Sequence, residues 1–258
     1  MTKYLFILLT LLAFRLQAQP TKNKTIIYGG DTINVKDSKG LKQGLWMKFY
    51  KTDTIFSKGQ FKNDKPYGTF YAYYANGKIN STRVYDAAGR KSTFKSYYES
   101  GKLKLIGYYN QQKKDSVWKY YGETDSLVAT EFYKQGVEHG EWVIYYLSGR
   151  KAEIITYQNG KKNGVSKKFF ANGTAKSECS YKDDKLNGYY KSYYSNGKLY
   201  LEGPYKNNLR DGMWRLHHTD GSIKASTTFK NGKGDYAVLE EVVDETQPYT
   251  PSTNDNQE

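Results

Sequence analysis

The chain has 258 residues, a formal net charge of +14 at pH 7, 27 tyrosines and one cysteine. One thiol excludes an internal disulfide, so stability must come from strand pairing and aromatic packing. Low mean hydropathy alone would suggest disorder, but the tyrosines argue against it, because aromatic rings bury large areas while their polar edges stay wet.

Residues 1–18 read as a secretory signal. Lys3 supplies the charge, Tyr4 to Phe14 a mostly apolar run, and Ala18 the small residue before a cut at Gln19. A bilayer-spanning helix needs roughly 20 apolar residues, so the run is too short to anchor stably. No cysteine lies at the cleavage site, which excludes a lipoprotein anchor. The expected location is therefore the periplasm, the cell surface or the medium. Residues 19–43 follow as an N-terminal cap segment, with Thr32-Ile33-Asn34-Val35 as a short strand.

Residues 44–234 hold eight units of 24 residues. The units open at Gly44, Gly68, Ser92, Ser116, Gly140, Gly164, Gly188 and Gly212, with no insertion or deletion. Two positions on stand Trp46, Phe70, Phe94, Trp118, Trp142, Tyr190 and Trp214, with Ser166 as the exception. Seventeen positions on, every unit has a ring: Phe61, Tyr85, Tyr109, Tyr133, Tyr157, Tyr181, Tyr205 and Phe229. A fixed period of this kind means stacked units that share a core. Within each unit an aromatic-rich run reaches a turn at Asn76-Gly77, Asn172-Gly173, Asn196-Gly197 or Asp220-Gly221. Asn-Gly favours a type I′ hairpin turn. A second run follows, then a second turn, clearest at Asn159-Gly160 and Asn231-Gly232. The expected fold is all-β, an elongated antiparallel β-meander of tandem hairpin repeats. Sixteen strands at about 4.8 Å would span roughly 75 Å.

Residues 235–258 form an acidic C-terminal cap and tail. Tyr236, Val238, Leu239 and Val242 are its apolar part, and it has seven acidic residues and no Lys or Arg. Residues 19–234 therefore carry 38 basic and 19 acidic residues. The plain reading is a soluble surface with a solvated tail. The sharper one is a basic array that attracts an anionic partner, with the tail competing for it.

Gly140-Glu141-Trp142, Tyr145-Tyr146, Gly149-Arg150 and Tyr157-Gln158-Asn159-Gly160-Lys161 resemble MORN repeats, as do Phe169 to Gly173 and Tyr181-Lys182. The pattern is similar to the bacterial MORN-variant repeats of the YwqK-type antitoxin module. The resemblance implies an array of hairpins, a binding or scaffolding role, links to membranes, protein partners or toxin neutralisation, and no catalytic residue. The fourth unit departs most, with Tyr120-Tyr121 one place early and Asp125 at the turn glycine; the first has Asp53 there.

Alternate residues of a strand share a face. One face carries the rings expected to form the repeat core: Trp46, Trp118, Trp142, Trp214, Tyr85, Tyr109, Tyr133, Tyr157, Tyr181 and Tyr205. The other carries Lys95, Lys119, Lys167, Lys191 and Arg215 at one offset, interrupted by Val143, beside Tyr97, Tyr145 and Tyr193. This row is the candidate binding face, set against the plainer view that it keeps the sheet soluble and unaggregated. His217-His218 point to opposite faces and cannot readily chelate one ion. Cys179 reads as a small buried residue. No cofactor, metal, small-molecule substrate or catalytic constellation is expected. Export disfavours nucleic acid as a partner. The leading expectation is an exported, non-catalytic scaffold that binds a protein or envelope component through one face. The alternatives are a YwqK-type toxin-neutralising or immunity protein, and a binder of cell-surface glycan or another anionic polymer or membrane surface.

Overall fold

The computed structural model describes residues 26–240; residues 1–25, with the expected signal segment, and the tail from residue 241 on, Val242 included, lie outside the described residues. Each unit supplies a leading and a return strand, from Lys42–Phe49 and Ile55–Lys62 in the first to Gly212–His217 and Ile223–Phe229 in the last. Pairing is antiparallel and follows chain order. Short pieces such as Val137–Glu138, which pairs with the same strand as Gly140–Tyr145, are leading strands interrupted at their start. Among the described residues no register joins the last strand to the first, so the sheet is an open meander.

Seven of the eight opening residues have a left-handed φ, from 61° at Ser116 to 124° at Gly212. Here each leading strand slips against the return strand before it. Gln60 pairs with Tyr67 but Lys58 with Tyr71, so three residues oppose Gly59. A side chain in this conformation costs roughly 1–2 kcal/mol, which is why glycine recurs at the bulge. Ser92 departs from the pattern. It pairs with Tyr85 in a straight register, and the two extra residues move into the preceding turn, Ala87 to Arg90. The 24-residue spacing hides this exchange.

The turns correct the expected type I′ geometry within units. Gly77 has φ 82°, but Asn76 is not left-handed, and Gly77 N donates to Tyr74 O. This is a type I turn followed by one left-handed residue. Asn76 uses its side chain instead, accepting from Lys78 N at 3.0 Å, as Asn172, Asn196 and Asp220 do two residues on. Asp53 and Asp125 take the left-handed place at 60° and 61°, so the same loop forms without glycine. Type I′ pairs occur between units instead, as at Asn159-Gly160 (52°, 81°) and Asn207-Asn208 (51°, 69°).

On one face the rings form a ladder. Centroid steps of 6.1, 5.2 and 5.2 Å run Trp46, Phe61, Phe70, Tyr85; Arg83 then lies over Tyr85, Phe94 and Tyr109. Contacts continue through Trp118 to Tyr157 and resume from Tyr190 to Phe229. Trp118 and Trp214 are 2% and 0% exposed, whereas Trp46 and Trp142 are half-buried. The rings lie flat against the neighbouring strand: a Cβ on Gly107 would stand 2.1 Å from Trp118, and Gly59 and Gly203 are equally close to Phe70 and Trp214. Ser166 breaks the ladder, and there the opposing residue is Ile155 rather than glycine. Cys179, also opposite Ser166, is half-buried rather than buried.

A second spine runs along the edge that carries the turns within units. Tyr50, Tyr74, Tyr98, Tyr146 and Tyr194 each donate to a backbone carbonyl one unit on, at 2.6–2.8 Å. Lys78, Lys102, Arg150 and Lys198 donate similarly between neighbouring turns. The fourth unit has Gly122 and Ser126 at these places, which leaves its junction with the fifth as the weakest along this edge.

Both ends are capped. The expected strand Thr32–Val35 is broken at Asn34 (φ 59°), because its amide group pairs both ways with the Met47 backbone at 3.0 and 2.7 Å. Ile33 is 1% exposed, and Tyr28 packs on Phe49. At the far end the helix Ala237–Glu240 buries Leu239 with Trp214, Leu216 and Phe229, while Tyr236 packs on Phe229 at 4.6 Å.

Candidate functional site

Strand alternation places Lys95, Lys119, Lys167, Lys191 and Arg215 on the face opposite the aromatic ladder, with Tyr97 and Tyr193 two residues beyond Lys95 and Lys191, and Tyr145 two beyond Val143. Their electrostatic settings differ. Lys167 Nζ lies 2.9 Å from Glu178, and Arg215 lies 3.8 Å from Glu202. Lys191 stands in register with both of these glutamates. Glu202 is also 3.5 Å from His217, which is 8% exposed while His218 is exposed. In units six to eight, two return-strand carboxylates therefore offset part of the charge of three cations. Buried Val143 (6% exposed) separates them from the earlier units.

Units one to four lack such carboxylates. Lys95 is exposed and pairs in register with Thr82 and Ile106; exposed Lys119 pairs with Ile106 and Thr130. Lys58 lies over Tyr71 and Tyr73 at 5.6 and 5.9 Å, and those two rings stack at 6.3 Å. The five-cation row thus divides into a cationic, tyrosine-lined patch in the first half of the sheet and a second half in which Lys167 and Arg215 are ion-paired. The division lay in the sequence, at Glu178 and Glu202, but only the strand register shows which cations they meet.

A second group of cations went unnoticed in the sequence. Lys42, Lys114, Lys162 and Arg210 share one offset and lie over the ladder rings. Lys42 is 4.8 Å from Trp46, Lys114 4.5 Å from Trp118, Lys162 5.4 Å from Tyr181 and Arg210 4.4 Å from Trp214. Such contacts are worth ~0.5–1 kcal/mol each where exposed. They cover rings that a single-layer sheet would leave wet. In unit four, Lys114 also reaches the hydroxyls of Tyr120 and Tyr133, which both donate to Glu131 at 2.5 and 2.9 Å. Burial, and then the bond to Glu131, hold both tyrosines far above their ordinary value. This cluster is internally satisfied. Among the described residues no group of three or more His, Cys, Asp or Glu could hold a metal.

Five segments match the family model described as the MORN repeat variant: 66–87, 92–111, 138–159, 162–183 and 186–207. They step over 112–137, the stretch that holds the fourth unit's departures. No curated protein sequence matches the chain. Three solved structures match part of the chain at low identity and low TM-score. They are a crystal structure of TarM (12% identity, 55% of this chain, 20% of that chain, TM-score 0.23), the Photorhabdus luminescens Tc holotoxin pore carrying TccC3-D651A (12%, 72%, 13%, 0.20) and a TcdB2-TccC3-Cdc42 complex (11%, 73%, 14%, 0.21). This chain spans a fifth or less of each.

Proposed function

We propose that this chain, which carries five MORN-variant repeats, is an exported, non-catalytic scaffold that holds a protein partner or envelope component on the cationic face of units one to four. The observation that carries the reading is the contrast along that face. Lys95 and Lys119 stand exposed with no carboxylate in register, whereas Lys167 and Arg215 are ion-paired. The repeat period sets neighbouring cations roughly 10 Å apart, twice the strand spacing. Flanking tyrosines offer apolar area with a polar edge, a composition suited to protein contacts.

The test is a crosslinking pull-down from the native envelope with wild type and with Lys58→Gln, Lys95→Gln and Lys119→Gln combined. Loss of a captured species in the variant, with the circular dichroism unchanged, supports the face. Capture that survives the variant rejects it. Export is checked by intact mass, which should begin near Gln19; retained Met1 on a cytoplasmic protein would reject it. A YwqK-type neutralising role would place a toxin on this same face, and co-expression rescue lost in the triple variant would identify it.

A further inference from the structure

We infer a second binding surface on this molecule: the edge formed by the turns between units takes an acidic polysaccharide. The two edges of the meander differ sharply in charge. In the eight five-residue stretches that make the turns between units (62–66, then every 24 residues to 230–234), eleven exposed Lys and Arg stand against three exposed Asp. In the equivalent stretches at the opposite edge (50–54 to 218–222), five exposed cations stand against five exposed acids. The basic surplus that the sequence shows only as a total is therefore concentrated on one edge.

The two sets of cations also do different work. At the opposite edge Lys78, Lys102, Arg150 and Lys198 are committed to carbonyls of the next unit. On the basic edge Lys161 and Lys230 approach Asp183 and Asp211 at 3.9 and 3.8 Å. Among the described residues, the side chains of Lys62, Lys65, Lys113, Lys182 and Lys206 have no hydrogen-bond or ion-pair partner. Their backbones are nonetheless held, since turn amides bond to the turn one unit back, as Asp64 N to Lys42 O and Asn208 N to Leu186 O. The result is a rigid row of uncommitted cations.

Charge density selects the ligand class. Eleven cations over eight turns give about 1.4 per step of roughly 10 Å. A nucleic-acid strand presents a phosphate about every 3.4 Å, roughly three per step, twice what this edge can meet. A sugar chain with a carboxylate on each ring or on every second ring is closer. The edge also holds a recess of about 610 Å³ beside the longer turn Ala87 to Arg90, lined by Lys62, Lys65, Pro66, Tyr67, Tyr85 and Asp86, whose carboxylate is taken up by Arg90 N at 2.8 Å. Tyr67 is 40% exposed there. Two cations around tyrosine rings suit a sugar ring that carries a carboxylate.

The probe is polygalacturonate, with neutral dextran and an oligothymidylate as comparators, titrated into the full chain at low and physiological salt. Replacing Lys62, Lys65, Lys113, Lys182, Lys185 and Lys206 by Gln should weaken polygalacturonate binding at least tenfold. Replacing Lys48, Lys51, Lys95, Lys104, Lys119 and Lys151, an equal change of charge off this edge, should weaken it less than threefold. Circular dichroism should be unchanged in both, and binding should fade as salt rises. The inference is overturned by absent polygalacturonate binding, by tighter oligothymidylate binding, or by equal loss in the two variants. Because the control removes Lys95 and Lys119, failure here is distinct from failure of the face reading.

Discussion

Gly107 and Trp118 give the sharpest test of how the units pack. A Cβ at residue 107 would lie 2.1 Å from Trp118 Cδ2, where carbon atoms normally approach to about 3.5–4.0 Å. The ring is 2% exposed and wedged against Tyr109 at 5.0 Å, so it cannot swing aside freely. Gly107→Ala should cost about 1–3 kcal/mol by overpacking. Trp118→Ala should cost about 3–5 kcal/mol, through lost burial and a cavity. In the Trp118→Ala background the clash is gone, and alanine is better than glycine in a strand by roughly 0.5–1 kcal/mol. Gly107→Ala in that background should therefore be neutral or stabilising, a coupling of about 1–4 kcal/mol. Urea unfolding followed by far-UV circular dichroism measures the parent chain, the two single variants and the double variant. Native-state hydrogen exchange at Ile106 to Tyr109 accompanies it, because repeat arrays unfold in parts. Additivity within about 0.5 kcal/mol would refute the ring-over-glycine contact.

The left-handed Ser116 and extended Ser92 should respond oppositely to glycine. Ser116→Gly should stabilise by about 1 kcal/mol, and Ser92→Gly should destabilise by about 0.5–1 kcal/mol, measured by urea unfolding. On the hydroxyl spine, Tyr146→Phe should cost about 0.5–1.5 kcal/mol, while Phe170→Tyr should add a rung and slow amide exchange between units six and seven. Exchange along the same edge should be fastest at Gly122 to Ser126, where those bonds are missing. Alkaline pH should loosen the array. Burial, and next Cys179, push the Tyr181 hydroxyl up to about 12 from 10.0. The unfolded chain ionises first, so this stability is fully present below pH 10 and is lost as pH rises to about 12. Tyr181→Phe should flatten that part of the stability–pH curve.

The architecture was legible because the 24-residue period fixes unit length, and rings at two offsets fix which face packs. What the period concealed were exchanges that conserve length. Ser92 and Ser116 occupy one offset, yet only Ser116 bulges, because the turn Ala87 to Arg90 takes up the two residues. The Asn-Gly pairs misled for a related reason. Asn76 uses its side chain on Lys78 N, so its backbone need not be left-handed. Compensation across strands was visible in principle, as in Ile155 facing Ser166, but required the register. The candidate face is legible in the sequence as a pattern, but its charge balance is not. Glu178 and Glu202 were in plain sight, and only pairing shows that they neutralise Lys167 and Arg215. The basic edge was missed because its lysines flank turns at two offsets instead of lining one strand.

Photo-crosslinking in cells that make the native protein tests the proposed face most directly. With p-benzoylphenylalanine at position 97, beside Lys95 and Lys119, a discrete crosslinked species should form and disappear when both lysines become Gln. The same probe at position 193, beside the ion-paired Lys167 and Arg215, should capture nothing comparable. Equal capture at both positions, or capture at 97 that ignores the loss of both charges, would contradict the account.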